Sequence, residues 1–289
     1  MNAFAQKVIT NTVVQYMRLR IKTIALVSPK QAALIALKLF TTPRTRSTRS
    51  LKVPLLQHAQ RIAITLTTQT ANLYYINNNA TRNILLVHGW EADSGFWRHY
   101  FPLLATANYN VYALDALAHG LSTGTSTNAV EYQALVTKVL REYGPFDAIM
   151  AHSMGTLVSS FAAVDVGIIN TVKLVYISPA PYSLTHFNAL KNVLLLPPHV
   201  MTKLYALVHK RYGMLVHEYS IYTIIKNNPK VQLCIMHDTT DIPCPIAETR
   251  SLLTLNAPNV VLHESTGLGH NKIAQDTAVA AIVMQYLSK

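Results

Sequence analysis

The sequence predicts an α/β protein with a doubly wound, mostly parallel sheet of eight strands and a helical insertion. Eight short runs rich in apolar and β-forming residues recur between residues 61 and 264, and most are separated by segments with helical spacing. Six of the eight runs are mostly apolar, as expected of strands buried on both faces of a parallel sheet. Strands alternating with helices favour a doubly wound sheet.

The chain before the first strand is predicted to be helical and basic. Residues 3–41 mix apolar and basic residues at helical spacing, and Pro29 divides them. Because proline fits the first turn of a helix, a second helix is expected to begin there. A basic connector follows at 41–52. We therefore expect residues 1–52 to form a basic N-terminal helical segment.

The first two strand-like runs are separated by a polar turn, which is typical of an antiparallel hairpin. The predicted strands are 61–67, 72–76, 83–87, 110–115, 146–151, 172–178, 231–236 and 259–264. The predicted helices between and after them are 95–107, 129–143, 154–165, 246–256 and 271–287.

A mostly helical stretch interrupts this alternation between the sixth and seventh strands. An insertion at the carboxyl edge of a parallel sheet is well placed to act as a lid, because ligands bind at that edge. We expect a helical lid at 182–230. The core is then expected to comprise 53–181 and 231–289.

The net charge of +12 is concentrated in the N-terminal third of the chain. Residues 1–90 contain twelve Lys or Arg and no acid, and the first acid is Glu91. This pattern suits peripheral contact with an anionic membrane, although a solvated surface is the plainer interpretation. No nucleic-acid partner is expected, since no RNA-binding signature or zinc spacing is visible.

The two cysteines, Cys234 and Cys244, fit neither a zinc motif nor a disulfide scaffold. The N-terminus lacks the compact apolar region of a signal peptide, and no apolar stretch of about 20 residues could span a bilayer. We expect a cytoplasmic protein without a metal ion or other cofactor.

The stretch "MAHSMGTL" places Ser153 at the predicted junction of a strand and a helix. A nucleophile elbow needs this junction, with small residues two places before and after the serine so that strand and helix can pass closely. Gly155 is such a residue, and Ala151 stands where glycine is usual. Ser153 is therefore the candidate nucleophile.

A serine nucleophile needs a base and a residue that orients the base. His270 lies in a glycine-flanked loop after the last strand. An acid between Ser153 and His270 would complete the chain order serine, acid, histidine that accompanies such an elbow. Asp238 and Asp241 both follow the seventh strand. We favour Asp241, whose loop has room to reach the histidine, and expect Asp238 to cap the turn. His152 is expected to support the site without acting as the base.

The oxyanion hole of such a site consists of backbone N–H groups. One is expected from Met154, at the start of the helix. The other is expected from Trp90, in the loop after the third strand, where Gly89 permits a sharp turn. The alternative for His88 and Gly89 is a simple turn between strand and loop.

Together, the segments "LLVHGW", "ALDALAHGLSTG", "AHSMG", "HDTTDIP" and "GLGH" resemble the α/β-hydrolase fold superfamily, from about residue 60 to the C-terminus. Two departures from the family pattern are Ala118, where glycine is usual before His119, and Cys244-Pro245 after the acid loop. Neither is expected to touch a catalytic atom. The resemblance implies a structural loop around His119.

The resemblance implies a serine hydrolase acting on a small-molecule carboxylic ester or thioester through an acyl-enzyme. Aspartate-dependent relatives of this fold are disfavoured by the serine at the elbow. Two alternatives are open: an acyltransferase that uses the same triad, and a non-catalytic binding or scaffold protein that acts through its basic N-terminal segment.

Overall fold

A computed structural model describes the backbone of residues 3–289 and the side chains from Thr12 onward. The strands are β1 Gln60–Leu66, β2 Gln69–Ile76, β3 Arg82–Val87, β4 Tyr109–Asp115, β5 Ala148–Ser153, β6 Lys173–Pro179, β7 Gln232–Asp238 and β8 Val260–Ser265. They form one sheet in the order β1-β2-β4-β3-β5-β6-β7-β8.

The sheet is antiparallel at one edge and parallel elsewhere. β1 pairs with β2, and β2 with β4, in antiparallel register. The remaining five pairings are parallel. The predicted eight-stranded, mostly parallel sheet with its N-terminal hairpin is therefore confirmed. The carboxyl ends of β3, β5, β7 and β8 lead into the loops that carry the candidate site residues.

The α-helices are α1 Ala3–Val27, α2 Pro29–Phe40, α3 Pro54–Gln57, α4 Tyr100–Thr106, α5 Ala129–Tyr143, α6 Met154–Val166, α7 Ser183–Leu194, α8 Pro198–Tyr212, α9 Ile221–Asn227, α10 Ile246–Leu253, α11 Gly269–Lys272 and α12 Thr277–Ser288. Short 3₁₀ helices lie at Arg49–Lys52, Ser94–His99 and Ile273–Gln275. None of the described helices combines the length and apolar content needed to cross a bilayer.

Pro29 begins α2 as predicted. The Ser28 side chain accepts a hydrogen bond from the Gln31 N–H at 3.3 Å and so caps the helix. The N–H groups in the first turn of a helix have no intrahelical acceptor. Proline has no N–H and therefore fits this position. The break between α1 and α2 therefore follows from local sequence.

The described chain divides into two compact units. The helical unit contains the described residues up to Thr42 together with Ser183–Tyr219. Within it, the Phe40 ring lies 4.8 Å from Phe187, between ring centroids. The Arg18 Nε–H donates to the Val193 carbonyl at 2.8 Å. Most of the N-terminal segment and most of the insertion thus form one helical core. The role of the insertion as a lid stays a prediction.

The sheet unit contains Pro43–Tyr182 and Ser220–Lys289. It includes most of the basic connector and the last part of the expected insertion, and the bounds of core and lid stay predictions. Side-chain contacts join the connector to the rest of this unit. Arg44 binds the Glu91 carboxylate through both its guanidinium and its backbone N–H. Arg46 donates to the carbonyls of Ser122 and Gly124. Part of the N-terminal positive charge is therefore paired or hydrogen-bonded within the fold.

Candidate active site

Ser153 is the last residue of β5 and directly precedes α6. Its backbone has φ +52° and ψ −126°, a strained conformation for a residue with a side chain. The pairing of β5 with β6 also changes register between His152 and Ser153. The chain therefore turns sharply at the serine, as an elbow requires.

Close packing around Ser153 explains which neighbouring positions require glycine. A Cβ atom on Gly155 would lie 2.6 Å from the carbonyl oxygens of both Val87 and His88, so no side chain fits there. Ala151 is fully buried within β5 and is accommodated. The missing first glycine of the usual motif is therefore compatible with this junction.

The structure brings Ser153, His270 and Asp241 into one hydrogen-bonded chain. The Ser153 Oγ lies 3.1 Å from His270 Nε2, and His270 Nδ1 lies 2.8 Å from Asp241 Oδ2. The Asp241 side chain is fully buried, and that of His270 is 13% exposed. In this arrangement Nδ1–H donates to the carboxylate, and Nε2 can accept the serine proton.

Asp241 is ionised despite its burial. Burial alone would raise the pKa of this carboxyl, but hydrogen bonds from His237 and His270 hold it well below its usual range. The Cys244 backbone N–H also donates to Asp241 Oδ1, at 2.9 Å. A buried carboxylate needs such donors to replace lost water.

Asp238 joins the loop after β7, which carries Asp241, to the loop after β8, which carries His270. Its Oδ1 accepts from the Thr240 N–H at 2.9 Å, which caps the turn as predicted. Its Oδ2 accepts from the Ser265 hydroxyl at 2.8 Å and the Leu268 N–H at 3.0 Å. Leu268 lies two residues before His270. Asp238 therefore fixes the loop on which the histidine stands.

The loop after β3 lies against the serine. A Cβ atom on Gly89 would come within 2.8 Å of the Ser153 Cβ, so glycine permits this approach. Within the described chain, the amide N–H groups of Trp90 and Met154 have no hydrogen-bond acceptor. Both amides are thus available to a ligand in the elbow.

Two buried histidines hold this loop, and sequence analysis gave neither this role. His88 Nδ1–H donates to the Gly89 carbonyl at 2.6 Å, while its Nε2 accepts from the Ala116 N–H at 3.0 Å. His119 Nε2 accepts from the Glu91 N–H at 3.0 Å. Burial lowers the pKa of both imidazoles to about 4, so both are neutral and each has a defined tautomer.

His152 supports His270, as predicted. Its Nε2–H donates to the His270 backbone carbonyl at 3.0 Å. The ring also lies 4.3 Å from Phe96, between centroids. Burial lowers the pKa of His152 to about 3, so this imidazole is neutral. Its contacts are those of a support for the histidine loop.

Cys244 contacts the site, and the expectation that this departure leaves the catalytic groups untouched is wrong. The Cys244 N–H donates to Asp241 Oδ1, as described above, and the Cys244 side chain is buried. Burial raises the pKa of this thiol well above its usual value, so it is uncharged. Sequence gave no signal because the contacts depend on the tight turn from Asp241 to Cys244.

Among the residues that the structure describes, no three His, Cys, Asp or Glu side chains are grouped to hold a metal ion. The elbow, the hydrogen-bonded chain and the two amides without an acceptor are groups of the described chain that could take part in chemistry at this edge of the sheet.

Comparison with known proteins places the chain in a family. The sequence model described as the alpha/beta hydrolase family matches residues 84–229, which include the loop after β3 and the serine elbow. The chain belongs to the α/β hydrolase family. The expected superfamily is therefore confirmed, while no curated protein matches this hydrolase in sequence.

Solved structures show the same fold. An esterase from Pyrococcus furiosus is 20% identical, with a TM-score of 0.61 over 86% of this hydrolase and 96% of the esterase. An esterase from Rhodococcus sp. ECU1013 is 17% identical, with a TM-score of 0.57 over 80% and 98%. A thioesterase domain from the curacin biosynthetic pathway is 15% identical, with a TM-score of 0.56 over 79% and 99%.

Proposed function

We propose that this hydrolase cleaves small-molecule carboxylic esters or thioesters through an acyl-enzyme on Ser153. One observation carries the proposal: the serine at a strained elbow is hydrogen-bonded to His270, which is hydrogen-bonded to buried Asp241. Serine needs a base to become nucleophilic, and the base needs a fixed orientation. The fold shared with two esterases and a thioesterase domain is consistent with this chemistry.

In the acylation step, Ser153 Oγ bonds to the substrate carbonyl carbon while its proton passes to His270 Nε2. The tetrahedral intermediate then expels the alcohol or thiol, which takes that proton from His270. In deacylation, water attacks the acyl carbon and gives a proton to Nε2. Ser153 recovers the proton as the carboxylic acid leaves. Asp241 stabilises the imidazolium formed in each step.

The negative charge on the substrate oxygen needs donors that are already oriented. The N–H groups of Trp90 and Met154 are the proposed donors, supported by their lack of other acceptors among the described residues. The contact of Gly89 with Ser153 and the bonds of His88 and His119 support the position of the Trp90 amide.

Fluorophosphonate labelling tests the nucleophile. We expect one labelled peptide containing Ser153, and a loss of at least about 10⁴-fold in kcat for Ser153→Ala. Ser159→Ala is a matched control, because Ser159 is also buried, in the middle of α6, and its hydroxyl has no partner in the described structure. Labelling elsewhere, or an active Ser153→Ala protein, would refute the proposal.

A series of p-nitrophenyl esters and acyl-CoA thioesters of graded acyl length would define the substrate class. The same reactions with added alcohol or amine would separate hydrolysis from acyl transfer. We expect free acid as the main product. An excess of the transferred acyl product would assign the triad to an acyltransferase.

We further propose that the helical unit contacts anionic membrane surfaces. The exposed face of α1 carries large apolar side chains, with Arg20 and Lys22 exposed among them. These apolar residues are Val13, Tyr16, Leu19, Leu26 and Val27, between 51% and 90% exposed. The sequence of this unit contains ten Lys or Arg and one acid, Glu218. An interfacial helix combines these two features.

Sedimentation with phosphatidylglycerol vesicles, and with phosphatidylcholine vesicles for comparison, tests this contact. We expect salt-sensitive binding to the anionic vesicles, weakened by Arg20→Glu and by Leu26→Ser. Leu55→Ser is the control, since Leu55 is exposed in the sheet unit. Equal binding to both vesicles, or no binding, would contradict the proposal.

A further inference from the structure

His237 is a fully buried imidazole at the end of β7, four residues before Asp241. Its Nε2 lies 2.9 Å from the Cys244 carbonyl and 3.2 Å from Asp241 Oδ2. Its Nδ1 lies 2.7 Å from the Thr249 hydroxyl. None of the catalytic steps described above uses this group.

The neighbours of His237 define its tautomer. Both groups next to Nε2, a carbonyl and a carboxylate, are acceptors, so Nε2 carries the hydrogen. With that hydrogen on Nε2, Nδ1 accepts from the Thr249 hydroxyl. Thr249 is itself fully buried. The imidazole is therefore held on both sides, with its N–H directed at the acid loop.

His237 closes a ring of contacts around the candidate acid. Its Nε2–H donates to the Cys244 carbonyl, and the Cys244 N–H donates to Asp241 Oδ1. The same His237 nitrogen faces Asp241 Oδ2, the oxygen that also binds His270. Two imidazoles thus share one carboxylate oxygen, while the other oxygen is held by the backbone.

We propose that His237 is a positioning residue. It fixes Asp241 for its contact with His270, and its N–H competes with His270 for the charge on Asp241 Oδ2. This inference rests on the proposed function of the triad. The ring of contacts keeps the loop from Asp241 to Cys244 in place. The His237 N–H dipole, 3.2 Å from Oδ2, weakens the attraction between that oxygen and an imidazolium at His270.

The two effects can be measured separately. If Asp241 no longer orients His270, kcat falls, because a misplacement of catalytic groups by about 1 Å costs about 10²-fold in rate. Loss of the competing N–H dipole strengthens the interaction of Asp241 with protonated His270. The acid limb of the kcat/KM profile, which reports the protonation of His270, should then move to higher pH. Simple displacement of Asp241 would move it to lower pH.

Other titratable groups lie nearby and are kept in every variant. The His152 ring is 4.7 Å from that of His270, between centroids. Glu264 lies opposite His237 in the pairing of β7 with β8 and forms an ion pair with Arg250. Both are present in the wild-type protein and in all variants, so they do not account for a difference between them.

The test uses His237→Leu, His237→Gln and Thr249→Val in the full chain. Glutamine can keep an N–H near the position of Nε2, whereas leucine removes it. We expect His237→Leu to lose about 10- to 100-fold in kcat with little change in KM, and its acid limb to shift upward. His237→Gln should recover most of the lost kcat and should return the acid limb most of the way to its wild-type position. Thr249→Val is a milder change. It should lower kcat and raise the pH of the acid limb, as His237→Leu does, but to a smaller extent.

His263→Leu, on neighbouring β8, is the matched control and should leave the pH profile unchanged. The inference is overturned if the leucine and glutamine variants lose activity equally, or if the acid limb does not move upward. Fluorophosphonate labelling of Ser153 separates the two proposals. An unlabelled wild-type serine contradicts the proposed function, whereas a labelled serine with unaltered His237→Leu kinetics contradicts only the role of His237.

Discussion

The imidazole of His152 donates a hydrogen bond to the backbone carbonyl of His270 at 3.0 Å, across 118 residues of sequence. His152 directly precedes Ser153, so the chain that presents the serine also holds the loop that presents the proposed base. The contact fixes the backbone of His270, while Asp241 fixes its ring. Serine and histidine are therefore positioned relative to each other from two sides.

His152→Leu should lower kcat by about 10- to 100-fold with a small change in KM, because the His270 loop loses its support. Steady-state kinetics on a soluble ester measure this change. His58→Leu, at an exposed position, is the control. Wild-type kcat in a folded His152→Leu protein would contradict the supporting role.

Asp241→Asn and Asp238→Asn should affect different properties. An amide at Asp241 cannot stabilise the imidazolium, so kcat should fall by about 10⁴-fold while the protein stays folded. Asp238→Asn removes charge-assisted acceptors for Thr240, Ser265 and Leu268. It should cost about 1–3 kcal/mol in the free energy of unfolding and leave much of the activity. Paired urea unfolding and kinetics compare them, and the reverse pattern would assign the acid to Asp238.

Gly155→Ala and Ala151→Gly test the packing of the elbow. The added Cβ at residue 155 would meet two carbonyl oxygens at 2.6 Å, so we expect loss of Ser153 labelling and a lower midpoint of thermal unfolding. Ala151→Gly restores the common motif and should keep labelling, at a stability cost of about 1 kcal/mol. A fully labelled, stable Gly155→Ala protein would contradict this packing argument.

Three buried imidazoles should make the fold sensitive to acid. Burial lowers the pKa of His88 and His119 to about 4 and that of His152 to about 3. In the unfolded chain these groups take up protons near about pH 6.5, so the unfolded state gains stability as the pH falls through that value. Burial raises the pKa of Asp115 to about 6, which acts in the opposite direction.

With Asp115 included, we expect the free energy of unfolding to fall by about 3 kcal/mol between about pH 7.5 and about pH 5.5. Urea unfolding at both pH values measures this loss. His119→Asn should make the loss smaller by about 1 kcal/mol, because one titrating group is removed. An unfolding free energy that does not change with pH would contradict the neutral, buried state of these histidines.

The sequence was sufficient to predict the sheet and the three residues of the hydrogen-bonded chain. The runs that become β3 to β7 are apolar because both faces of the sheet are covered there, whereas the apolar run of β8 lies at the partly exposed edge. Ser153, Asp241 and His270 follow predicted strands. Their convergence results from topology, since carboxyl ends of parallel strands meet at one edge.

Contacts between loops could not be predicted in the same way. His237 and Cys244 are separated by a turn whose path depends on Asp241, so no periodic pattern marks them as neighbours. The attachment of the basic connector to the sheet unit also depends on tertiary contacts, such as that between Arg44 and Glu91. Such contacts join residues that are far apart in sequence and leave no local signal.

The ion pair between Arg44 and Glu91 lies at the surface, next in sequence to the backbone amide of Trp90. Glu91 directly follows Trp90, whose N–H is a proposed oxyanion donor, and its carboxylate binds both the guanidinium and the N–H of Arg44. The Arg44 side chain is 79% exposed, so dissolved salt reaches this pair. Ionic strength should therefore act on the residue that follows the proposed oxyanion donor, and we expect added salt to lower kcat more than it raises KM in steady-state kinetics.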